Sequence, residues 1–312
     1  MDAQAITEAL TAPEGRADPY PLYAQAHQLG PVSVISDGWY LSPGYAAASQ
    51  VLRDPALGPP GQQARASGQP ERPALASMSR SILEASPPDH PRMRSVISSA
   101  FTPRRVAAQE PAITSAVDTL LDHLADTGTG GTAVDFMEEF AWQLPVTMIC
   151  ELLGVAASDR GWFRPLARDL TAALELLPST PGLDLAEIAA GELGGYFTQL
   201  IAERRAAPRD DLIGDLITAS DAADSRLSGQ ELLANLILLL VAGFETTTDL
   251  LGNGAALLLD QPETAAALRS GVITVAGFTE EVLRYESPVQ LTTRVALAGG
   301  LTAGGTPLPQ GS

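Results

Sequence analysis

The fold of this chain is decided by residues 230–259, which read QELLANLILLLVAGFETTTDLLGNGAALLL. The stretch contains no proline and is apolar on most sides in its first half, so it predicts one long helix. At about 1.5 Å of rise per residue, this helix would span on the order of 45 Å, the width of a whole domain. A helix this long and this apolar must run through the core of the protein. Its longest apolar run, Leu232–Phe244, is interrupted by Asn235 and is shorter than the roughly 20 residues that a bilayer crossing needs, so we expect no membrane partner.

The rest of the chain is predicted to be mostly α, with a small β-sheet near the N-terminus. Asp37-Gly38 favours a tight turn between two short β-prone pieces, and the Pro-rich and Gly-rich residues 59–73 predict an irregular loop. We expect residues 1–312 to form a single domain. The predicted helices are Pro19–Gly30, Tyr45–Arg53, Arg92–Phe101, Arg105–Thr127, Glu138–Leu153, Ser158–Leu176, Asp184–Ala206, Leu212–Ala219, Pro262–Leu268 and Val275–Tyr285, followed by a β-prone tail over Val289–Leu297.

Composition restricts the function classes. The 312 residues carry a formal net charge of −18, which would repel a phosphate backbone and argues against a nucleic-acid partner. The chain has a single cysteine, Cys150, so no internal disulfide is possible, and a cytoplasmic location fits. Met1–Leu10 lacks the basic and then apolar pattern of a signal peptide.

The segment Ala242-Gly243-Phe244-Glu245-Thr246-Thr247 breaks the local rules of the long helix. Gly243 costs about 1 kcal/mol relative to alanine, and threonine is a mediocre helix former. Threonine hydroxyls in helices also bond back to a carbonyl one turn earlier. Two interpretations stay open: a groove opened in the helix, where an acid beside a hydroxyl relays protons, or a polar patch where the helix reaches the surface.

Basic residues form two further candidate sites. Residues 90–105 contain four arginines and no acid; His90 and Arg94 lie four apart, on one helix face, and both can donate hydrogen bonds to a carboxylate. This pattern indicates an anionic ligand or an acidic partner, or else arginines that pair with acids elsewhere in the fold. Arg294 could add another donor. Glu281 and Arg284 are three apart and form either a functional pair or an ordinary exposed ion pair.

Taken together, in this order and spacing, these segments resemble the bacterial soluble class of the cytochrome P-450 family. The opening Asp18-Pro19-Tyr20-Pro21 and the stretch Trp39–Pro55 resemble the N-terminal part of that family. The resemblance implies haem b as cofactor and the cytochrome P-450 fold. It implies that Glu245 and Thr246 are the catalytic acid–alcohol pair that delivers protons, with Ala242 and Gly243 beside the cofactor. It also implies that His90, Arg94 and Arg294 bind the haem propionates. Glu281 and Arg284 would form a structural ion pair that holds the haem-ligand loop. The substrate pocket would be lined by Leu238, Val289, Gln290, the loop Arg65–Leu83 and neighbouring residues.

One feature departs from the family pattern. The family's haem-ligand loop, Phe-x-x-Gly-x-x-x-Cys-x-Gly, is expected after the Glu281–Arg284 helix, whereas Cys150 precedes it and has no flanking glycine. Cys150 is therefore predicted to be a small buried core residue, and no residue of this chain is predicted to bind a metal ion. We expect the fold to be incomplete at its C-terminus.

Two explanations of this departure remain. The first is a fragment, inactive by itself, of a monooxygenase that acts on a hydrophobic small molecule with electrons from NAD(P)H through a ferredoxin-type partner. The second is a haemless auxiliary protein that binds or activates an enzyme of a natural-product pathway. The intact Glu245 and Thr246 favour the fragment, as does the final segment Thr306–Ser312, which resembles the middle of a β-hairpin and would leave a strand edge unpaired.

Overall fold

The computed structural model describes residues 1–59, 72–175, 179–222 and 227–312, except for the side chain of Ala222. The described part is mostly helical, as predicted. Its α-helices are α1 (Ala3–Thr11), α2 (Pro13–Ala17), α3 (Tyr20–Gln28), α4 (Tyr45–Arg53), α5 (Pro73–Met78), α6 (Asp89–Ala100), α7 (Pro103–Ala107), α8 (Glu110–Thr127), α9 (Gln143–Leu152), α10 (Arg160–Thr171), α11 (Thr180–Ala206), α12 (Leu212–Ala222), α13 (Gly229–Asp260), α14 (Pro262–Arg269) and α15 (Val275–Tyr285). Shorter helical turns occupy Thr129–Gly131, Met137–Ala141, Ala157–Asp159 and Ala172–Leu174.

The helix α13 is the central helix predicted from the sequence. It begins after a capping box, in which the Ser228 hydroxyl accepts from the Glu231 amide and the Glu231 carboxylate accepts from the Ser228 amide. Helices α9, α10 and α11 pack against it, and its residues Leu236, Leu240, Val241 and Phe244 are fully buried in the main core. By length and composition α13 could cross a membrane, but 56% of its most apolar window is buried inside the protein.

Prolines explain two differences from the predicted helix boundaries. Residues 105–127 form α7 and α8 instead of one helix, because Pro111 fits the first turn of a new helix but would clash inside a continuous one. Residues 138–153 form a π-turn and then α9, with Pro145 in the first turn of α9. The predicted loop over residues 59–73 lies mostly outside the described residues, and Pro73 opens helix α5.

The described strands are short and pair in three antiparallel couples. These are β1 (Ser33–Ser36) with β2 (Trp39–Leu41), β3 (Leu57–Gly58) with β4 (Val295–Ala296), and β5 (Leu301–Ala303) with β6 (Thr306–Leu308). The first couple confirms the hairpin at Asp37-Gly38, where Gly38 has a φ of 77°.

The C-terminal segment differs from its predictions. Residues 289–294 are irregular, and only Val295–Ala296 of the predicted β-prone tail is a strand. Residues 306–308 are the second strand of a closed hairpin and not its middle. Beyond that hairpin the chain returns to β4, where the Ala296 amide donates to the Ser312 carbonyl (2.8 Å) and the Gly311 amide donates to the Ala296 carbonyl (2.8 Å). The strand edge that was expected to be unpaired is therefore partly covered. The assignment of the whole chain to one domain stays a prediction.

Candidate active site

An exposed stripe, formed by Ala242 and Thr246, lies on one side of the central helix α13 at this segment. Ala242 and Thr246, one turn apart, are exposed, whereas the residues on the other sides of the same turns, Val241, Phe244 and Thr248, are fully buried. Spacing of three or four residues places side chains on one helix face. The structure therefore opens a face at the segment that the sequence singled out.

The backbone stays regular at this segment. Residues 229–260 are continuously α-helical, so the expected opening of the hydrogen-bond ladder is wrong. The Thr246 hydroxyl donates to the Ala242 carbonyl (2.8 Å) and the Thr248 hydroxyl to the Phe244 carbonyl (3.0 Å). Each hydroxyl adds a bond to a carbonyl that the helix already uses, which is compatible with an unbroken ladder.

Gly243 allows α9 to approach the central helix closely. A Cβ at this position would lie 3.0 Å from Cδ1 and 3.2 Å from Cγ1 of Ile149. Glycine is tolerated inside the helix because this close packing offsets its poor helix propensity. Gly243 therefore serves the contact between two helices, a role that the sequence pattern did not indicate.

Glu245 lies in a partly buried, acidic environment. Burial raises the pKa of its carboxyl to about 7, with smaller increases from the charges of Asp249 and Glu175. A hydrogen bond with the Thr171 side chain and the charge of Arg16 act in the opposite direction. A carboxyl with a pKa near neutrality can both give and take a proton at physiological pH, as a general acid must.

Most of these neighbours of Glu245 were missed by the sequence analysis. Asp249 follows Glu245 by four residues, and that spacing could have identified it. Thr171 ends α10, Glu175 follows the turn after α10, and Arg16 is in α2. No local pattern links these three residues to Glu245.

The two residues predicted to hold an anion are both available. His90 and Arg94 lie in the first and second turns of α6, His90 partly buried and Arg94 exposed. Neither side chain makes a hydrogen bond or an ion pair with any described residue. A pair of cationic or neutral donors on one helix face can bind carboxylates from an incoming ligand.

The neighbouring arginines are not available in the same way. Arg92 pairs with Glu231 and Asp89, and Arg105 pairs with Asp210 and Asp215. Of the interpretations left open by the sequence, pairing with acids of the protein itself therefore holds for Arg92 and Arg105. Arg104 is exposed and makes no ion pair with a described residue.

Arg294 lies in the irregular segment before β4. One guanidinium nitrogen, Nη1, donates to the Thr293 carbonyl (2.7 Å) and to the Thr292 hydroxyl (3.2 Å). Among the described residues it contacts no carboxylate, so its charge is free to meet a ligand anion.

Glu281 and Arg284 form a two-pronged ion pair on α15. Nε of Arg284 donates to one carboxylate oxygen (2.8 Å) and Nη2 to the other (2.6 Å). This pairing lowers the pKa of the Glu281 carboxyl. The side chains of Glu281 and Arg284 are 60% and 67% exposed, so within these 312 residues the pair lies at the surface.

The residues predicted to line a substrate pocket differ in their exposure to solvent. Leu238 is buried and Val289 is 58% exposed. The Gln290 amide donates to the Ser287 carbonyl (2.6 Å) and accepts from the Tyr23 hydroxyl. Residues 65–71 of the predicted pocket loop lie outside the described residues, and residues 73–78 are the helix α5. A surface cavity of about 450 Å³ lies elsewhere, at the C-terminal end of the central helix between Phe136, Leu258 and Arg269.

Cys150 is a core residue, as predicted. It is fully buried, and burial raises the pKa of its thiol to about 11. A thiol with that pKa stays protonated at neutral pH and is a poor metal ligand. No group of three or more potential metal-ligating side chains occurs among the residues that the structure describes.

These observations can be compared with what haem requires. The exposed stripe at Ala242 and Thr246 offers a helix face to a flat ligand, and His90, Arg94 and Arg294 offer donors for two propionates. The donors present among the described residues thus suit haem propionates in their chemistry. Cys150 does not fit as the thiolate ligand of haem, because it is buried in the core and its thiol stays protonated.

Comparison with known proteins agrees with this fit. The family model for cytochrome P-450 matches residues 176–312. The chain is 38% identical to the cytochrome P-450 monooxygenase PikC of Streptomyces venezuelae, over 95% of this chain and 69% of the relative. It is 36% identical to vitamin D(3) 25-hydroxylase of Pseudonocardia autotrophica, over 94% of this chain and 71% of the relative.

Among solved structures, the chain is similar to P-450BioI in complex with an acyl carrier protein ligated to hexadec-9Z-enoic acid. The TM-score is 0.85 at 29% identity, over 96% of this chain and 76% of the other. The predicted fold class is therefore confirmed. This chain belongs to the bacterial cytochrome P-450 family, whose members are haem-dependent monooxygenases.

Proposed function

We propose that the enzyme to which these residues belong inserts one oxygen atom of dioxygen into a C–H bond or a double bond of a hydrophobic small molecule. When bound through a thiolate, haem supplies the oxidant. The observation that carries the proposal is Glu245, whose carboxyl pKa is about 7, directly before the exposed Thr246 on the stripe of the central helix.

Glu245 and Thr246 divide the task of proton delivery. Consecutive helix residues point about 100° apart around the axis, so Glu245 faces Thr171 while Thr246 faces the open stripe beside Ala242. The Thr246 hydroxyl donates to the Ala242 carbonyl, so its oxygen lone pairs can accept a hydrogen bond from a water molecule. Glu245 holds a proton near neutral pH and can pass it to the water that Thr246 positions.

The cationic residues would anchor the cofactor. His90 and Arg94 on α6, together with Arg294 before β4, would donate hydrogen bonds to the propionates of haem b, since each lacks a carboxylate partner in the described part of the protein. Glu281 and Arg284 would have a structural role. Two N–H groups of Arg284 donate to Glu281, and its three other N–H groups would donate to a segment packed over α15.

We further propose that the thiolate comes from sequence outside these 312 residues. Two facts support this: Cys150 is the single cysteine and is buried, and the chain spans 69% and 71% of the two relatives named above. The 312 residues alone are then inactive. Expressed with added haem and reduced under carbon monoxide, they should lack the absorption band of a thiolate-bound complex; such a band would contradict this proposal.

The auxiliary-protein alternative has one observation in its favour, which is the inert state of Cys150. It predicts that the 312 residues bind a partner enzyme and raise its activity without haem. The intact Glu245 and Thr246 favour the monooxygenase, because an auxiliary protein has no chemical need for this pair.

The experiment that tests proton delivery uses the full-length enzyme. Thr246→Ala should divert electrons from product to hydrogen peroxide, because the stripe loses the hydroxyl that positions a proton-bearing water. Peroxide formed per NAD(P)H consumed is the measurement, and Thr119→Ala, an exposed threonine of α8, is the control. Unchanged coupling in Thr246→Ala would refute the assignment.

The substrate and the partners follow from the same comparison. Vitamin D(3) and a carrier-bound fatty acid, for which two of these relatives are named, are both hydrophobic. We propose a hydrophobic substrate for this enzyme, bound near Leu238, Val289 and Gln290. We also propose a cytoplasmic location and a ferredoxin-type redox partner. Arg104 is the exposed cation of the basic segment that remains for such a partner, so Arg104→Glu should slow reduction more at low than at high ionic strength.

A further inference from the structure

A buried asparagine interrupts the apolar run of the central helix. Asn235 is 1% exposed, and a polar side chain in such a place costs free energy unless it is hydrogen-bonded. Both ends of its side-chain amide are used: Oδ1 accepts from the backbone amide of Ile82 (2.9 Å), and Nδ2 donates to the Glu231 carbonyl (2.7 Å). The second bond stays within the helix, whereas the first reaches a different segment of the chain.

The segment that Asn235 reaches joins α5 to α6 and contains no helix or strand. Ile82 and Ala85 nevertheless pack in or against the main core. Glu231, one turn before Asn235, pairs with Arg92 of α6 (2.5 Å). The first turns of α13 therefore hold this part of the chain twice, at Ile82 and again at Arg92.

Asn235 is in line with the exposed stripe of the same helix. Ala242 and Thr246 follow it by about two and three turns, so the three side chains leave the helix axis in nearly the same direction. The stripe is exposed at Ala242 and Thr246 and covered at Asn235, where the Ile82 amide docks. The segment around Ile82 therefore bounds the open stripe on its N-terminal side, about 10 Å along the axis from Ala242.

We propose that Asn235 is a positioning residue for substrate binding: by fixing the Ile82 amide, it holds residues 79–85, the roof segment, at the border of the pocket. The inference rests on the proposed function, because it takes the pocket to lie over the exposed stripe. It adds that Leu83, an apolar residue that is 47% exposed, contacts the substrate when the roof segment is held. Without the Asn235 acceptor, the Ile82 amide would need another partner, and the roof segment would lose its fixed position.

Hydrogen exchange in the 312-residue chain tests the anchor. Asn235→Leu removes the acceptor at a similar side-chain volume. Asn235→Ser loses the bond to Ile82 but keeps one to the Glu231 carbonyl, because a serine hydroxyl in a helix bonds one turn back. Both variants should speed exchange of the roof-segment amides about threefold to tenfold, which is the effect of losing one hydrogen bond. The control is Thr248→Val, at a buried threonine of the same helix whose hydroxyl donates to the Phe244 carbonyl, and it should leave these amides unchanged.

Azole binding to the full-length, haem-loaded enzyme tests the positioning role. Imidazole and 1-dodecylimidazole both bind iron through a ring nitrogen, but only the second has a long apolar tail that must lie in the pocket. Titrations followed by the haem absorption band give a Kd for each. Asn235→Ser should raise the Kd of 1-dodecylimidazole about threefold to tenfold and leave that of imidazole unchanged. A general weakening of the fold would move both Kd values together.

Faster exchange of the roof segment, together with a selective loss of 1-dodecylimidazole affinity, supports the proposal. Roof-segment exchange equal to that of Thr248→Val overturns it, and so does an equal change, or no change, in the two Kd values. If Asn235→Leu does not fold, Asn235→Ser decides alone. An unmutated enzyme that bound neither azole would refute the proposed function and this inference with it, whereas the other negative results leave the proposed function standing.

Discussion

Replacing Glu245 by glutamine should stabilise the protein, and the gain should grow with pH. The carboxyl pKa rises from 4.5 to about 7 on folding, which at about 1.4 kcal/mol for each tenfold change in proton affinity corresponds to about 3 kcal/mol. The group is partly exposed to solvent, and discounting for screening leaves about 1 to 2 kcal/mol. Glutamine has nearly the same shape and never ionises, so it removes this penalty.

The sign follows from the two pKa values. Below pH 4.5 the carboxyl is protonated in both the folded and the unfolded chain, so ionisation has no effect on stability. Between pH 4.5 and about 7 the unfolded chain releases the proton first, and stability falls as pH rises. Above that window the whole penalty is present.

Urea unfolding of the 312-residue chain measures this effect. The stability of Glu245→Gln relative to the unmutated chain should grow by about 1 kcal/mol between about pH 5.5 and about pH 8. Glu280→Gln, at an exposed carboxylate of α15, is the control and should show no such growth. A Glu245→Gln difference that is constant across this range would refute the argument that burial raises the pKa of Glu245.

Two further predictions concern the core. Asp211→Ala should cost about 3 to 5 kcal/mol in urea unfolding, because it leaves Arg204, which is 3% exposed, buried without its carboxylate. The control Asp221→Ala removes the exposed partner of Arg205 and should cost less than about 1 kcal/mol. Equal costs for the two variants would contradict this explanation. Gly243→Val should cost about 1 to 3 kcal/mol, because its Cβ would meet Ile149 at 3.0 Å. Gly191→Val in α11, where a Cβ meets nothing within 4 Å, should cost less, and a Gly243 variant as stable as this control would be inconsistent with the close contact.

The central helix shows how far local sequence determines this fold. Predicted over Gln230–Leu259, it is observed over Gly229–Asp260, because a capping box and a continuous apolar pattern act within a few residues of one another. Boundaries were less accurate where proline interrupts a helical pattern, as at Pro111. The N-terminal helix α1 was missed, although Asp2 caps it and Ile6 and Leu10 are buried one turn apart.

The basic segment shows the limit of the same reasoning. From the sequence, Arg92 and Arg105 look as free as Arg94, since no acid lies between His90 and Arg105. Apart from Asp89, three residues before Arg92, their partners are distant along the chain: Glu231 in α13, Asp215 in α12 and Asp210 just before α12. Only packing decides which arginines are neutralised, because partners distant along the chain leave no trace in local spacing.

By itself, the sequence determined the helical class, the course of the central helix, the position of Glu245 and Thr246 on that helix, and the buried place of Cys150. These properties depend on residue type and on spacing within a turn or two. The tertiary structure decided the partial burial of Glu245, the contact that requires Gly243, and which arginines of the basic segment are neutralised. These properties depend on solvent exclusion and on charges from distant segments, and both exist only once the helices have packed together.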